Sequence, residues 1–279
     1  MQKYTLLPEQ LLREGSCTHE NFFEPTLPED HFITAVHNPL YYEALLNLAI
    51  PPREARKIGF PLSPTLVERE RIIADGTIKA CEYALENGIA MNIAGGTHHA
   101  YSNHGEAFCM LNDQAISARY LLNKGFARQV LIIDLDVHQG NGTAEIFRED
   151  PGVFTFSIHG QGNYPFKKEQ SDLDIPMIKG TSDTQYLKVL GEALPRLFQT
   201  VQPDFVFYLC GVDVLATDAL GTLSLSLEGC RQRDRMVLET CRQHNIPVQC
   251  SMGGGYSPDL NTIVEAHANT FRLAQELFF

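Results

Sequence analysis

The chain has 279 residues, 44% of them hydrophobic, enough for one large α/β domain with a sizeable core, which excludes intrinsic disorder. Its 34 acidic residues against 22 basic ones leave a formal charge of −12. That field repels polyanions, so direct nucleic-acid binding and adsorption to an anionic membrane are disfavoured, while a cationic substrate is attracted. Seven scattered cysteines with no Cys-x-x-Cys pair, no apolar leader at Met1, and no segment near the roughly 20 apolar residues of a membrane span give the expectation of a cytoplasmic protein.

Residues 15 to 64 carry seven prolines, from Pro25 to Pro64, and are expected to form ordered loops and short helices. Residues 65 to 87 have helical periodicity that stops at Asn87-Gly88, a favourable C-terminal stop. Ile89 to Ala94 reads as a short apolar strand, Asn112 to Lys124 as a helix ended by Gly125, and Gln129 to Val137 as the strongest strand of the chain. A strand at Val153 to Ile158 follows, then a helix at Asp183 to Thr200 despite Pro195, and a buried strand at Phe205 to Cys210. Leu227 to His244 is helical, Pro247 to Met252 extended, and about Pro258 to Glu276 helical again. Alternation of this kind predicts a single α/β domain over residues 1 to 279, with a central, mostly parallel sheet and helices on both faces.

Ligands collect at the carboxyl ends of strands in such sheets. Four expected strands here end in turns with reactive side chains: Gly95-Gly96-Thr97-His98-His99, Asp134-Leu135-Asp136-Val137-His138, Gly211-Val212-Asp213, and Gly253-Gly254-Gly255-Tyr256. In extended backbone Asp134, Asp136 and His138 share one face, with Ile133, Leu135 and Val137 on the other. Two carboxylates and an imidazole buried together are costly without a cation. A divalent metal resolves the conflict, with Asp213 completing its site and positions left open for water and substrate. His98 and His99 are adjacent and are expected to diverge, which suits acid and base work better than joint chelation. Tyr256 follows a glycine run that lets the backbone approach other groups, and its hydroxyl can donate to a developing oxyanion. Taken singly, each feature has a plainer reading: a salt-bridged carboxylate pair, loop histidines satisfied by backbone, a packing aromatic after a hinge. His19, His31, His37, His104, His159, His244 and His267 fit no ligand spacing and are expected to be surface or capped residues, and Cys109 a packed thiol.

Five blocks in order carry a resemblance: Gly95-Gly96-Thr97-His98-His99-Ala100, Phe108-Cys109-Met110-Leu111-Asn112-Asp113, Asp134 to Thr143, Gly211-Val212-Asp213, and Gly253 to Tyr256. They resemble the signature blocks of the histone deacetylase family, and Gln139-Gly140-Asn141-Gly142 looks more like its class IV branch and bacterial relatives than class I. The resemblance implies an arginase/deacetylase-like fold and a Zn²⁺ ion, with Fe²⁺ as the alternative, held by Asp136, His138 and Asp213. It implies that water activated by the metal attacks an amide carbonyl that Tyr256 polarises. His99 is then the main proton shuttle, with His98 tuning charge beside it and Asp134 orienting His98. Asp134 and Ser157 are implied to help hold a structural K⁺, Phe108 to line a narrow channel for the acyl-lysine stem, and Gly254 to contact substrate.

Where many family members have an aspartate partner for the second histidine, this chain has Asn141. An amide supplies no negative charge, so the pKa of His99 is expected to be lower than with an aspartate, and Asn141→Asp to move the alkaline limb of the rate profile upward. The substrate is an acylated amine: acyl-lysine in a protein or peptide, or an acetylpolyamine or other small acylated amine. A ureohydrolase with two manganese ions would need further ligands at the strand ends, and a silent acyl-amine binder would leave both histidines and Tyr256 unused. No G-x-S-x-G, H-E-x-x-H, Walker-type or G-x-G-x-x-G motif occurs, so serine hydrolase, zincin, nucleotide hydrolase and Rossmann dehydrogenase have no foothold.

Overall fold

The computed structural model describes residues 2–279. Four helices precede the first strand-forming half: α1 (Lys3–Glu14), α2 (Asp30–Thr34), α3 (Pro39–Leu46) and α4 (Pro52–Ile58). Short helices among the prolines match expectation, whereas α1 does not follow from the sequence reading. It docks through Leu7 and Leu11, one turn apart, against Met252, Val264 and Ala268. The long α5 (Pro64–Asn87) begins where the Ser63 hydroxyl accepts from Leu66 N at 3.2 Å, with Pro64 at a position whose missing N–H costs nothing. It leads into β1 (Ile89–Asn92).

The second half alternates as expected: α6 (Asp113–Lys124), β2 (Val130–Asp134), α7 (Asn141–Phe147), β3 (Val153–Gly160), β4 (Leu173–Met177), α8 (Asp183–Val201), β5 (Phe205–Leu209), α9 (Leu227–His244), β6 (Val248–Ser251) and α10 (Leu260–Phe278). Two of these were not anticipated. The edge strand β4 contains Pro176, which argues against a strand unless the strand lies at an edge, where a missing donor leaves no ladder bond unmade. Helix α7 is only seven residues long, too short to show apolar periodicity.

The six strands form one sheet in the order β1-β6-β5-β2-β3-β4, with every pairing parallel. Alternate residues of β2 and β5 feed two cores. Leu131, Ile133, Val206 and Tyr208 pack with α8, α9 and α10 residues such as Leu194, Val237 and Leu273. Val130, Ile132, Phe205 and Phe207 pack with α5 and α6 residues such as Ile78, Ile116 and Leu121 on the other face. Strands covered on both faces read as continuous apolar runs, as these do.

Two consequences position the site. From β2 the chain proceeds outward to β3, while from the neighbouring β5 it proceeds the opposite way to β6. Such a reversal opens a crevice at the carboxyl ends of those strands. Secondly, β2 stops at Asp134, short of the expected Val137. Beyond one further bond, Leu135 N to Leu209 O at 3.1 Å, the backbone turns, so Asp136 and His138 sit past the ladder rather than within it. Leu135 and Val137 still point into the core.

Candidate active site

Asp136 and His138 follow β2 and Asp213 follows β5, so the switch in strand order brings them together. One donor atom from each lies within 4.8 Å of the others, the one such metal-capable cluster among the described residues. His138 Nδ1 is 3.0 Å from Asp136 Oδ1 and 3.2 Å from Asp213 Oδ2. The other oxygens are committed: Asp136 Oδ2 accepts from Gly254 N at 2.8 Å and Asp213 Oδ1 from Val137 N at 2.9 Å. Asp213 Oδ2 is buried with no well-formed hydrogen bond among the described residues, only the His138 ring at 3.2 Å, a costly arrangement for a carboxylate. A divalent cation would remove that cost.

The electrostatics carry the same message. Burial, reinforced by the Asp136 charge, pushes the Asp213 acid up to about 7. Burial also works against the Asp136 carboxylate, but hydrogen bonding from His138 and the nearby imidazoles outweigh it and hold that acid well below its ordinary range. His138 is pushed up to about 10, because its bonds to both carboxylates overcome burial. Gly254 shows why the third strand end must be glycine: a Cβ there would lie 2.0 Å from Asp213 Oδ2 and 2.7 Å from Asp136 Oδ2. Such a side chain would fill the cradle itself.

His98 and His99 do not diverge as expected. Their rings lie side by side, tilted by 49° with centroids 4.1 Å apart, and both line one cavity of about 420 Å³ with Asp136, His138, Asp213, Gly254 and Tyr256. What separates them is the partner behind each. His98 Nδ1 is 2.7 Å from Asp134 Oδ2, and His99 Nδ1 is 2.6 Å from Asn141 Oδ1. Burial opposes a charge on His98, yet the Asp134 carboxylate raises its pKa above the usual imidazole range. Burial and the neighbouring His98 push His99 well below that range. The two imidazoles are thus tuned in opposite directions, His98 toward holding a proton and His99 toward lacking one.

The turn that carries them is clamped by α6. Asp113 Oδ1 accepts from Gly96 N at 2.9 Å, Thr97 N at 2.8 Å and Thr97 Oγ1 at 2.7 Å. Asn112 Nδ2 donates to Ala100 O at 3.2 Å and Thr143 Oγ1 at 3.0 Å, tying the turn to α7. Gly142 allows that approach, since a Cβ there would meet Ala100 O at 2.1 Å. Asp134 and Ser157 stand in register on β2 and β3, with Ser157 Oγ 2.9 Å from His159 Nδ1.

Tyr256 is mostly enclosed, its backbone N donating to Asp218 Oδ2 at 2.6 Å, and burial raises its hydroxyl pKa, keeping it a donor. Phe108 stands at the cavity mouth, 45% exposed, with its ring 4.9 Å from that of Phe60. Its φ of 69° and that of 43° at Ala107 are left-handed, a strain of about 1–3 kcal/mol per residue. Two hydrogen bonds hold the turn, Phe108 N to Ile58 O at 2.7 Å and Ala107 N to Lys57 O at 2.9 Å.

Sequence reasoning missed Lys3 and Tyr164. The Lys3 ammonium is buried and donates to Gly253 O at 3.2 Å, and lies 5.4 Å from the Tyr256 ring centre. Burial lowers its pKa, against the attraction of Asp213 and Asp136. Tyr164 lines the cavity beside Phe108 and sets its ring edge-on to His99 with centroids 5.0 Å apart. No local spacing signals either one. His37, His159 and His267, expected to be surface or capped residues, are buried. His37 is capped by the backbone of Tyr101 and Asn112 at 3.0 and 2.9 Å, and both ring nitrogens of His267 are buried with no hydrogen-bond partner among the described residues. Cys109 is a packed thiol, as expected.

A six-stranded parallel sheet with a metal-capable Asp-His-Asp cluster at its switch point defines a class, and comparison with known proteins gives the family. The histone deacetylase domain model matches residues 1–271. An uncharacterised protein of Picosynechococcus sp. is 42% identical over 278 residues, 100% of this chain and 93% of its own length. Histone deacetylase 2 of Arabidopsis thaliana is 30% identical over 255 residues, 88% of this chain and 66% of its own length. The crystal structure of an HDAC homologue from Aquifex aeolicus superposes with a TM-score of 0.83 at 23% identity, covering 95% of this chain and 76% of that one. The chain belongs to the histone deacetylase family and has its arginase/deacetylase-like fold. Among the described residues no helix is long and apolar enough to cross a membrane.

Proposed function

We propose that the protein is a zinc-dependent amidohydrolase that removes the acyl group from acyl-lysine in proteins or peptides. The observation that carries this reading is one cavity lined by the Asp136-His138-Asp213 cluster, an oppositely tuned pair of histidines and the Tyr256 phenol. The Asp213 Oδ2 that lacks a well-formed hydrogen bond and the space that Gly254 leaves free fit a single ion. When bound by those three side chains, Zn²⁺, or Fe²⁺ in its place, would supply Lewis-acid polarisation and a water of lowered pKa. Asp134 and Ser157 are the residues for a structural K⁺.

The protein's own groups divide the remaining work. His99, neutral and with Nδ1 engaged by Asn141, offers Nε2 to take the proton of the attacking water. It then returns that proton to the leaving amine. His98, kept cationic by Asp134, stabilises negative charge developing beside it. The Tyr256 hydroxyl donates to the carbonyl oxygen as that oxygen gains charge. The alkyl stem of the substrate lies between Phe108 and Tyr164, with Gly254 at its inner end. The chain's net charge of −12 favours substrates that are themselves cationic.

A panel of acetyl-lysine peptide, long-chain acyl-lysine peptide and acetylpolyamine, assayed on protein of verified metal content, tests the reading. The acyl-lysine peptides should show the highest kcat/KM, and activity should vanish on chelation and return with zinc. Preference for the polyamine would overturn the substrate assignment, and full turnover after chelation the metal one.

A further inference from the structure

The Asn141 side chain has two chemically different ends, and the end that meets His99 decides what His99 can do. With Oδ1 toward the ring, Nδ1 donates and Nε2 is left bare to accept a proton. With the amide turned over, Nδ2 would donate to Nδ1, the ring proton would move to Nε2, and the base would be lost.

The groups on the far side of the amide select one orientation. Asn141 Nδ2 donates to the Tyr101 hydroxyl at 3.0 Å and to Glu106 Oε2 at 3.3 Å. The Tyr101 hydroxyl donates onward to Glu169 Oε1 at 3.3 Å, so its oxygen has only an accepting role left toward Asn141. A carboxylate has no hydrogen to give, so Glu106 too admits only the N–H end of the amide. Both carboxylates are themselves fixed. Glu106 exchanges backbone hydrogen bonds with Cys109 at 3.0 and 2.8 Å, accepts from the Tyr164 hydroxyl on Oε2, and has Lys57 Nζ 3.5 Å from Oε1. Glu169 pairs with Arg148, and its backbone is held at both ends by Gln139 at 2.8 and 2.9 Å.

We propose that Glu106 is a positioning residue for the hydrolysis: by holding the Asn141 amide in one orientation it fixes the tautomer of His99. It places at one remove the negative charge that an aspartate at 141 would bring directly. The same turn presents Phe108 to the channel, so one loop sets both the wall and the base. The inference rests on the reading of His99 as the base.

The test combines ¹⁵N NMR of histidine-labelled protein, with the His99 signals identified by their loss in His99→Ala, and steady-state kinetics on an acetyl-lysine peptide. Wild type should carry the His99 proton on Nδ1 alone. In Glu106→Ala the Nε2-protonated form should appear, with kcat lowered at least about ten-fold and KM changed less than about three-fold. Glu106→Gln, whose oxygen accepts the same bond but whose NH₂ end admits the turned amide, should fall between. A pure Nδ1–H signal in whichever variant folds overturns the proposal. A shifted tautomer with unchanged kcat overturns its catalytic half and, with it, the assignment of His99 as base, whereas the NMR arm stands independently of which acyl-amine is hydrolysed.

Discussion

The floor of the site and its wall are built differently. The floor consists of groups at the carboxyl ends of β2, β5 and β6, buried or partly buried, with the Asp136 and Asp213 carboxylates hydrogen-bonded to backbone and tied to a sheet covered on both faces. The wall comes from loops: Phe108 on a left-handed turn, Tyr164 after β3, and Phe166, 91% exposed at the rim. A rigid sheet holds chemical groups to the tolerance catalysis needs, while loops vary what reaches them. Changes to the floor should therefore abolish the reaction, and changes to the wall should alter which substrate undergoes it.

Gly254→Ala offers the severest break. Its Cβ would occupy the space between Asp213 and Asp136, so metal content by mass spectrometry should fall to background and kcat/KM by about a thousand-fold or more. His99→Ala leaves the metal cluster untouched and should lower kcat about 10²- to 10⁴-fold, with zinc still bound at one per chain. Phe108→Ala, at the wall, should act mainly on KM, several-fold, and narrow the difference between acyl chain lengths. A Phe108→Ala enzyme that lost kcat instead would erase the distinction between floor and wall.

The mildest change sharpens the contrast between the two histidines. Because His99 lies well below the usual imidazole range and is proposed to work as a neutral base, protonating it on acidification should remove activity, so its titration should shape the acid limb of kcat/KM. His98, raised by Asp134, loses its proton only above its ordinary pKa and shapes the alkaline limb. Asn141→Asp should then move the acid limb upward, since a carboxylate there stabilises the His99 cation. The sequence reading placed this shift on the alkaline limb, without the structure's opposite tuning of the pair. The raised pKa of His98 also contributes stability that is present below the unfolded histidine pKa of about 6.5 and is lost as pH rises through the raised folded value, as long as Asp134, whose own acid is raised by burial, stays ionised.

The floor was legible because its geometry is local. Asp136 and His138 are two residues apart, and the glycine turns announce four strand ends directed at one crevice. The fold class followed from the alternation of apolar strands and periodic helices, missing only an edge strand that Pro176 disguised, the short α7 and the N-terminal α1. The wall and the supports were not legible, because their meaning lies in contacts across the chain. Lys3 meets Gly253 across 250 residues, Asn141 meets Glu106 across 35, and Tyr164 meets Glu106 across 58. An ammonium, an amide and a phenol acquire roles there through burial and partners, which no spacing records.

The account stands on one cation held jointly by Asp136, His138 and Asp213. Calorimetric titration of metal-stripped protein with Zn²⁺, run beside Asp213→Asn, tests this most directly. One tight site per chain that regenerates amide hydrolysis, weakened at least about a hundred-fold when the Asp213 charge is removed, is the result the structure predicts. Equal zinc affinity in the two proteins, or hydrolysis in the stripped enzyme before any zinc is added, would contradict it.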